Sequence, residues 1–248
     1  MSNSQPKVAL ITGASQRIGE QLARGLHARD YRVIVHYHSG AQRAETIVDE
    51  LNAVRADSAH ALGADLSDLN AVQQLAELSI KQWGRLDVLI NNAGSYYPTP
   101  WGTATEKDWN NLVGSILMGP FFLTQQLLPA LIERNGCIVN LIDIFAERPA
   151  HDQSIYGIAK AGLAHMTKSL AFDLRGKIRV NGIAPGVILW PEQPTSDEFK
   201  TKMLDQIPLE RMGDPSDIVR TALFLIEGAP YINGQIIAVD GGLSLSTL

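Results

Sequence analysis

The sequence predicts a single-domain α/β fold, a doubly wound parallel sheet of about seven strands with helices on both faces. Three observations predict it. Short β-branched segments alternate with longer helical patterns along the whole chain, several of these segments are almost continuously apolar, and no change of composition marks a linker. Because strands that alternate with helices pair in parallel through right-handed crossovers, residues 1–248 are assigned to one domain.

The individual elements follow from periodicity. The predicted strands are Lys7–Ile11, Arg32–His36, Ala59–Gly63, Leu86–Ile90, Cys137–Ile142, Lys177–Ile183 and Gln235–Val239. The predicted helices include Gly19–Arg29, Ala41–Arg55, Leu69–Gln82, Trp109–Arg134 and Ser154–Leu174. Residues 186–206 are predicted to form a substrate loop or lid, because Gly186–Ser196 has two prolines, a tryptophan and no periodicity.

Composition excludes several classes of protein. The chain is 45% hydrophobic and contains one cysteine, Cys137, so a disulfide framework and a multi-cysteine metal cluster are excluded and no metal site is expected. A net charge of -5 argues against a nucleic-acid partner. No apolar run approaches the roughly 20 residues of a membrane span, and Met1–Pro6 lacks a signal-peptide core, so a cytoplasmic protein without a membrane partner is expected.

A glycine-containing turn, Thr12–Gly19, connects the first strand to the first helix. Strand, glycine turn and helix together place a pyrophosphate at the helix N-terminus, where free N–H groups and the helix dipole favour an anion; the alternative is a plain turn. Arg17 occupies the place where such loops often carry a middle glycine. Its guanidinium is a permanent cation beside the phosphates, unless Arg17 is only a surface residue that opens the helix.

The second strand ends in the residues His36, Tyr37, His38 and Ser39, without a carboxylate. A carboxylate there would bond the ribose 2′-hydroxyl of NAD and repel the 2′-phosphate of NADP. Its absence favours NADP over NAD, although a polar loop is the plainer interpretation.

Three further segments indicate a site at the carboxyl edge of the sheet. Tyr156 and Lys160 are four residues apart, so they share a helix face, and the ammonium is expected to lower the pKa of the phenol. Asp143 follows the fifth strand, at the edge where open α/β sheets bind ligands. The alternatives are a surface pair for Tyr156 and Lys160, and a turn cap for Asp143. Asn91–Gly94 follows the fourth strand, where small residues allow a flat ligand close to the backbone and asparagine amides can bridge strands; the alternative is an ordinary turn.

Taken together, five motifs resemble the short-chain dehydrogenase/reductase family over almost the whole chain, which implies a Rossmann-type fold. The motifs are Thr12-Gly13 with Gly19, Asn91-Asn92-Ala93-Gly94, Tyr156 with Lys160, Arg179-Val180-Asn181 with Pro185-Gly186, and Asp240-Gly241-Gly242. Most family members have glycine in place of Arg17 and serine in place of Asp143. These two departures, the residues His36 to Ser39 and the segment Ser95–Pro100 resemble the pteridine reductases, including the dihydromonapterin reductase branch.

That resemblance implies an NADPH-dependent reductase of dihydropterins that assembles as a homotetramer. It implies that Tyr156 donates the proton, that Lys160 holds the nicotinamide ribose and that Asp143 assists protonation of a ring nitrogen. Arg17 would bridge cofactor phosphate and pterin, and Tyr96 would stack on the pterin. The implied cofactor-binding residues are Gly13, Ser15, Arg17, Ile18, Gly19, His36, Tyr37, His38, Ser39, Asp65, Leu66, Asn92, Ala93, Gly94, Tyr156, Lys160, Pro185, Gly186 and Ile188.

Several alternatives stay open at this point. Ile116 stands where many family members have a helical asparagine that relays protons, and eukaryotic pteridine reductases have a basic residue in place of Ser39. Asp143 is either an ionised acceptor for the 2-amino edge of a pterin or a partly protonated acid. Trp190 either covers the substrate or packs its own loop. The competing functions are a carbonyl reductase of the 3-oxoacyl or sugar-alcohol type and a non-catalytic NADP-binding sensor.

Overall fold

The fold is described for residues 5–190 and 196–246 of a computed structural model. Its strands are β1 (Val8–Ile11), β2 (Arg32–Tyr37), β3 (Ala59–Gly63), β4 (Val88–Asn91), β5 (Cys137–Leu141), β6 (Arg179–Pro185) and β7 (Ile236–Val239). All pair in parallel, in the order β3-β2-β1-β4-β5-β6-β7. The predicted fold class is confirmed. Because the strand order reverses between β1 and β4, a ligand crevice is expected at the carboxyl ends of these two strands.

Helices cover both faces of the sheet. They are α1 (Arg17–His27), α2 (Ala41–Val54), α3 (Leu69–Trp83), α4 (Glu106–Val113), α5 (Gly119–Glu133), α6 (Ser154–Asp173), α7 (Asp197–Asp205) and α8 (Pro215–Leu223). Helices α1, α2 and α8 pack their apolar residues on one face, and α3, α5 and the end of α6 pack on the other. Every residue of β1, β4 and β5 is buried as a result, which accounts for their apolar sequences.

The structure corrects several predicted boundaries. Strand β4 begins two residues later than predicted, and β6 continues to Pro185. The helix predicted from Trp109 begins at Glu106, because Thr105 and Asp108 form a capping box. It then passes through a π-helical turn, Gly114–Met118, before α5. Helix α8 was not predicted, although Asp214 followed by Pro215 is a recognisable start signal.

The segment predicted as a loop, residues 186–206, is partly helical. Helix α7 occupies Asp197–Asp205 and begins where the Ser196 hydroxyl accepts a hydrogen bond from Phe199 N–H. Residues 191–195 of this predicted loop lie outside the described residues. The role of a lid stays a prediction.

One helical stretch, Glu106–Glu133, is long and apolar enough to cross a membrane by length and composition. Core helices of globular proteins meet the same criterion, and this one buries Leu112, Leu123, Leu127 and Leu131 inside the protein.

Candidate active site

The glycine turn after β1 interlocks with the segment after β4. The Thr12 hydroxyl accepts hydrogen bonds from the backbone N–H groups of Asn92 and Ala93, both at 3.0 Å, and the Asn92 amide donates to the Thr12 and Gly13 carbonyls. A β-carbon at Gly13 would lie 2.9 Å from Ala93 Cα, and one at Gly19 would lie 2.2 Å from Gly13 O. Only glycine fits at these two positions, so the backbone at the start of α1 stays open to a ligand.

Arg17 is held in a left-handed conformation, with φ of +55°. This region favours glycine, and a non-glycine residue in it costs on the order of 1 kcal/mol. The Arg17 guanidinium donates to the carbonyls of Leu189 (3.4 Å) and Trp190 (3.0 Å) at the rim of the crevice. The turn therefore holds a cation at a position where a glycine would adopt the same backbone conformation without strain.

His36 connects this turn to the strands beside it. Gly13 N–H donates to His36 Nδ1 at 3.1 Å, so Nε2 carries the ring proton and donates to Ala64 O at 3.1 Å. Burial lowers the pKa of the imidazole to about 4. His36 is therefore neutral at physiological pH and fixes the position of the glycine turn.

Asn91 fills the predicted role of bridging strands. Its amide donates to Asn140 Oδ1 at 2.8 Å, and the Asn140 amide donates to the Thr167 hydroxyl of α6 at 2.8 Å. All three side chains are buried. This network ties β4, β5 and α6 together directly below the site.

Asp143, Tyr156 and Lys160 meet at the carboxyl end of β5. The Tyr156 hydroxyl donates to Asp143 Oδ2 at 2.7 Å, and Lys160 Nζ donates to Leu141 O at 2.6 Å and lies 5.7 Å from the Tyr156 ring centroid. Asp143 Oδ1 also accepts from Phe145 N–H at 2.9 Å, so the carboxylate caps the turn Ile144–Ala146 as well as binding the phenol. Asp143 is therefore a turn cap, as one interpretation of the sequence had it, and it also contacts Tyr156; its role toward a ligand stays a prediction.

Burial shifts the pKa values of all three groups toward their neutral forms. Loss of hydration raises the pKa of Asp143, and burial together with the Asp143 carboxylate raises the pKa of Tyr156 well above its usual value. Burial lowers the pKa of Lys160 to about 8, against the attraction of Asp143. The expectation that Lys160 lowers the pKa of Tyr156 is wrong, because burial of the phenol and its contact with the Asp143 carboxylate both oppose ionisation. Tyr156 therefore retains its proton at neutral pH.

An aromatic wall faces this group. The Tyr96 and Tyr156 rings meet edge to face, with centroids 5.0 Å apart and an interplanar angle of 83°. Tyr96 is half-exposed and Trp190 is partly buried. Ile116 is completely buried against Gly94, so no side chain from that position supplies a polar relay.

These residues line one cavity of about 520 Å³ at the carboxyl edge of the sheet. Of the site residues predicted from the sequence, the structure brings all except Tyr37 to this cavity. The Tyr37 ring packs on Gly63 instead, where a β-carbon would lie 2.8 Å from Tyr37 Cζ. The cavity is also lined by residues that the sequence analysis did not select, among them Arg43, Asn111, Phe145, Phe199, Met203 and Leu243. The spacing of Phe199 and Met203, four residues apart, was a helical signal within the predicted loop.

A parallel sheet with a glycine turn at its switch point, and a buried tyrosine and lysine one helical turn apart beside it, defines a nucleotide-dependent oxidoreductase. The chain belongs to the short-chain dehydrogenase/reductase family. A family model described as enoyl-(acyl carrier protein) reductase matches residues 13–244.

Curated relatives align over nearly the whole chain. The 3-oxoacyl-(acyl-carrier-protein) reductase FabG of Staphylococcus aureus strain Mu50 is 38% identical over 241 residues, which is 96% of this chain and 98% of that protein. Pteridine reductase 1 of Leishmania tarentolae is 33% identical over 283 residues, covering 96% of each chain. FabG of Thermotoga maritima is 32% identical over 241 residues, with 96% of this chain and 97% of that protein covered. The family is established by these matches, and they include two different substrate classes.

Proposed function

We propose that this protein is an NADPH-dependent pteridine reductase that reduces dihydropterins to their tetrahydro forms. The observation that carries the proposal is the Asp143 carboxylate, hydrogen-bonded to the Tyr156 hydroxyl at the inner end of an aromatic-walled cavity. A pterin presents a flat ring with an amino-substituted, donor-rich edge. A carboxylate accepts two hydrogen bonds from such an edge, whereas a serine hydroxyl offers a weaker, uncharged contact.

The cavity fits a nicotinamide dinucleotide. Gly13 and Gly19 leave the backbone of the turn accessible, and β2 ends without a carboxylate that would repel a 2′-phosphate. Residues 185–188 and 92–94 line the same cavity as Asp143, Tyr156 and Lys160. A bound NADPH supplies the hydride.

The residues of the chain hold and transfer the proton. Because the pKa of Tyr156 is raised, its phenol is protonated at neutral pH and can donate the proton that a reduction requires. After Tyr156 has donated its proton, the Asp143 carboxylate, whose pKa is raised, takes up a proton from solvent and passes it to the phenolate across their 2.7 Å contact. Lys160, buried beside the Tyr156 ring, stabilises the phenolate that proton donation leaves. Tyr96 fixes the plane of the substrate ring, and stacking of this kind contributes about 0.5–1.5 kcal/mol beyond area.

A second candidate function is reduction of a 3-oxoacyl thioester. It is favoured by the similarity to the curated relatives, since the FabG proteins reach 38% identity and the pteridine reductase 33%. Both functions use Tyr156 and Lys160. Overall identity does not by itself decide substrate class, because a few side chains around the reacting atoms do so. Asp143 and Arg17 are such side chains, and they support the first candidate.

Steady-state NADPH oxidation with dihydrobiopterin, dihydromonapterin and an acetoacetyl thioester tests the two candidates directly. We expect turnover of the pterins. For Asp143→Ser we expect pterin turnover to fall by at least about a hundredfold while NADPH binding, measured by fluorescence, stays unchanged. Asp173→Ser, which alters an exposed carboxylate at the end of α6, serves as the control. Turnover of the thioester alone, or equal pterin turnover by the Asp143→Ser variant and the unmodified protein, contradicts the proposal.

The resemblance also supports a homotetramer, which we include in the proposal. Helices α4 to α6 expose Trp109 (45%), Phe121 (47%) and Phe172 (71%), and burial of these side chains between subunits would favour association. Light scattering is expected to give four times the chain mass of 27.0 kDa. A mass of one chain contradicts this part of the proposal.

A further inference from the structure

A short turn with a fixed start follows strand β7. The residues Leu243–Leu245, which we call the capped turn, form one turn of 3₁₀ helix. Asp240 Oδ1 accepts a hydrogen bond from Gly242 N–H at 2.9 Å, and Asp240 Oδ2 accepts from Ser244 N–H at 2.7 Å. Gly242 has φ of +89°, a left-handed conformation that glycine adopts without strain. Asp240 and Gly242 therefore fix where the capped turn begins.

Arg148, which lies between β5 and α6, holds the other end of the capped turn. Its Nη1 donates to Leu243 O (3.3 Å) and Ser244 O (2.7 Å), and its Nη2 donates to Ser246 O at 2.7 Å. Carbonyl groups at the end of a helical turn carry partial negative charge, so a guanidinium binds them more strongly than a neutral donor does. One partly buried side chain thus joins the segment after β5 to a turn that lies 95 residues further along the chain.

The capped turn presents Leu243 to the cavity beside the catalytic group. The Leu243 side chain is 5% exposed and packs in one apolar cluster with Ile144 and Phe145, the two residues that directly follow Asp143. Leu243 and Phe145 also line the cavity that contains Asp143. Within the described part of the chain Arg148 does not line this cavity, so it acts on a bound substrate only through the turn that it holds.

We propose that Leu243 forms an apolar wall against the substrate, and that Arg148 is the positioning residue that keeps this wall in place. A single 3₁₀ turn has few hydrogen bonds of its own, so without Arg148 the turn opens and Leu243 leaves the cavity. The wall fits an uncharged, apolar part of the substrate next to its reacting atoms, which is the ring face of a pterin or the acyl chain of a thioester. This role rests on the proposed reductase activity, and it is independent of which of the two substrates is reduced.

The first test compares KM and kcat for the substrate that the unmodified protein reduces, dihydrobiopterin or an acetoacetyl thioester. The variants are Arg148→Gln, Arg148→Lys, Leu243→Ala and the double variant Arg148→Gln/Leu243→Ala. Leu245→Ala is the control within the capped turn, because Leu245 is 83% exposed. Arg134→Gln is the control for charge, because Arg134 is an exposed arginine after α5 that pairs with its neighbour Glu133. Calorimetry measures the affinity of each variant for NADPH.

We expect Leu243→Ala and Arg148→Gln each to raise KM by about fivefold or more, while kcat and NADPH affinity change by less than about twofold, because the wall contacts a part of the substrate that does not react. The double variant is expected to match Leu243→Ala within about twofold, since Arg148 acts through Leu243. Arg148→Lys is expected to recover part of the loss, because an ammonium reaches fewer of the three carbonyls than a guanidinium. Both controls are expected to stay within about twofold of the unmodified protein.

The second test measures the turn itself. The Leu245 and Ser246 N–H groups donate to Gly242 O (2.9 Å) and Leu243 O (3.2 Å), so they exchange slowly with solvent only while the capped turn is formed. We expect hydrogen–deuterium exchange of the peptide that covers residues 240–246 to be at least about tenfold faster in Arg148→Gln than in the unmodified protein, and unchanged in Arg134→Gln.

Three results overturn the inference: an unchanged KM in Leu243→Ala, effects of Arg148→Gln and Leu243→Ala that multiply in the double variant, and unchanged exchange in Arg148→Gln. If Arg148→Gln does not fold, Arg148→Lys and Leu243→Ala decide by the same criteria. A protein that reduces only the thioester contradicts the pterin proposal and leaves the role of Arg148 to be decided with that substrate. If the protein reduces neither substrate, the proposed activity is wrong, and the exchange rates alone decide: faster exchange in Arg148→Gln supports the role of Arg148, and unchanged exchange overturns it.

Discussion

The glycine-turn region around His36 and the catalytic region around Tyr156 bury polar groups in opposite ways. His36 is neutral, and each of its two ring nitrogens has a backbone partner, so its burial costs little free energy. Asp143, Tyr156 and Lys160 are acids and bases whose pKa values are displaced by burial. The difference teaches that the first region is built for rigidity, whereas the second bears an electrostatic cost that keeps a proton available for chemistry.

The largest expected effect follows from removal of the proton donor in the catalytic region. Tyr156→Phe keeps the ring against Tyr96 but deletes the hydroxyl that binds Asp143. We expect kcat to fall by about a thousandfold or more while nucleotide affinity stays unchanged. Steady-state NADPH oxidation and calorimetry measure the two quantities. Tyr231→Phe, at a completely exposed tyrosine, is the control; more than a tenth of the activity left in Tyr156→Phe would contradict the assignment.

Replacing Lys160 separates the electrostatic cost from the catalytic benefit. The pKa of Lys160 is about 8 in the folded protein and near 10.5 when unfolded, so holding the ammonium charged at pH 7 costs up to about 3 kcal/mol. Lys160→Met removes this cost and loses the bond to Leu141 O. We expect the free energy of unfolding to rise by about 1–2 kcal/mol while activity is lost.

Chemical denaturation at pH 7 and at pH 10.5 tests the sign. The gain of Lys160→Met is expected to shrink as pH rises from about 8 to 10.5, because the folded lysine is neutral there and the unfolded one still binds its proton. Lys168→Met, at an exposed lysine of α6, is the control. A Lys160→Met protein less stable than the unmodified one by more than about 1 kcal/mol would refute the cost. For the unmodified enzyme, activity is expected to decline as pH rises through about 8, where the ammonium is lost.

Removing His36 tests the rigidity of the glycine turn. His36→Leu leaves Gly13 N–H and Ala64 O without partners, and we expect a loss of about 2–4 kcal/mol in the free energy of unfolding at pH 7. In the unmodified protein the pKa of His36 is about 4 folded and near 6.5 unfolded. Protonation of the unfolded state therefore lowers stability as pH falls from about 6.5 to about 4.

Denaturation curves between pH 4 and pH 7 compare this variant with the unmodified protein, and the pH slope of stability is expected to be shallower in His36→Leu. His38→Leu, at an exposed histidine after the same strand, is the control for the loss at pH 7 and is expected to change the free energy of unfolding by less than about 1 kcal/mol. If the slope is the same in His36→Leu and in the unmodified protein, protonation of His36 in the unfolded state does not cause the pH dependence of stability.

The smallest expected effect concerns Tyr37, next to His36 on β2. Its ring packs on Gly63 outside the cavity, so Tyr37→Phe is expected to change nucleotide affinity by less than about twofold. The same calorimetric titration measures it. A tenfold loss of nucleotide affinity in Tyr37→Phe would show that Tyr37 contacts the nucleotide, and would contradict its placement outside the cavity.

Periodicity predicted the fold class and most elements because strands buried on both faces must be apolar and core helices must repeat their apolar residues. The π-helical turn Gly114–Met118 and helix α7 were not predicted for a related reason. The π turn is a local change of hydrogen bonding inside an uninterrupted apolar segment, and α7 buries no residue, so neither leaves a strong periodic signal.

By itself, the sequence determined the parallel α/β architecture and the residue types of the site, since strand ends and the spacing of Tyr156 and Lys160 fix which side chains share one edge. The electrostatics and the neighbours of these side chains depend on how the chain packs. In the folded protein His36 is buried and neutral and connects two backbone segments. The Tyr37 ring packs on Gly63 outside the cavity, and Arg43 lines the cavity. Packing also reversed the expected direction of the Tyr156 pKa. A pKa depends on burial and on charges within a few ångströms, and those distances arise only when segments far apart in sequence pack together.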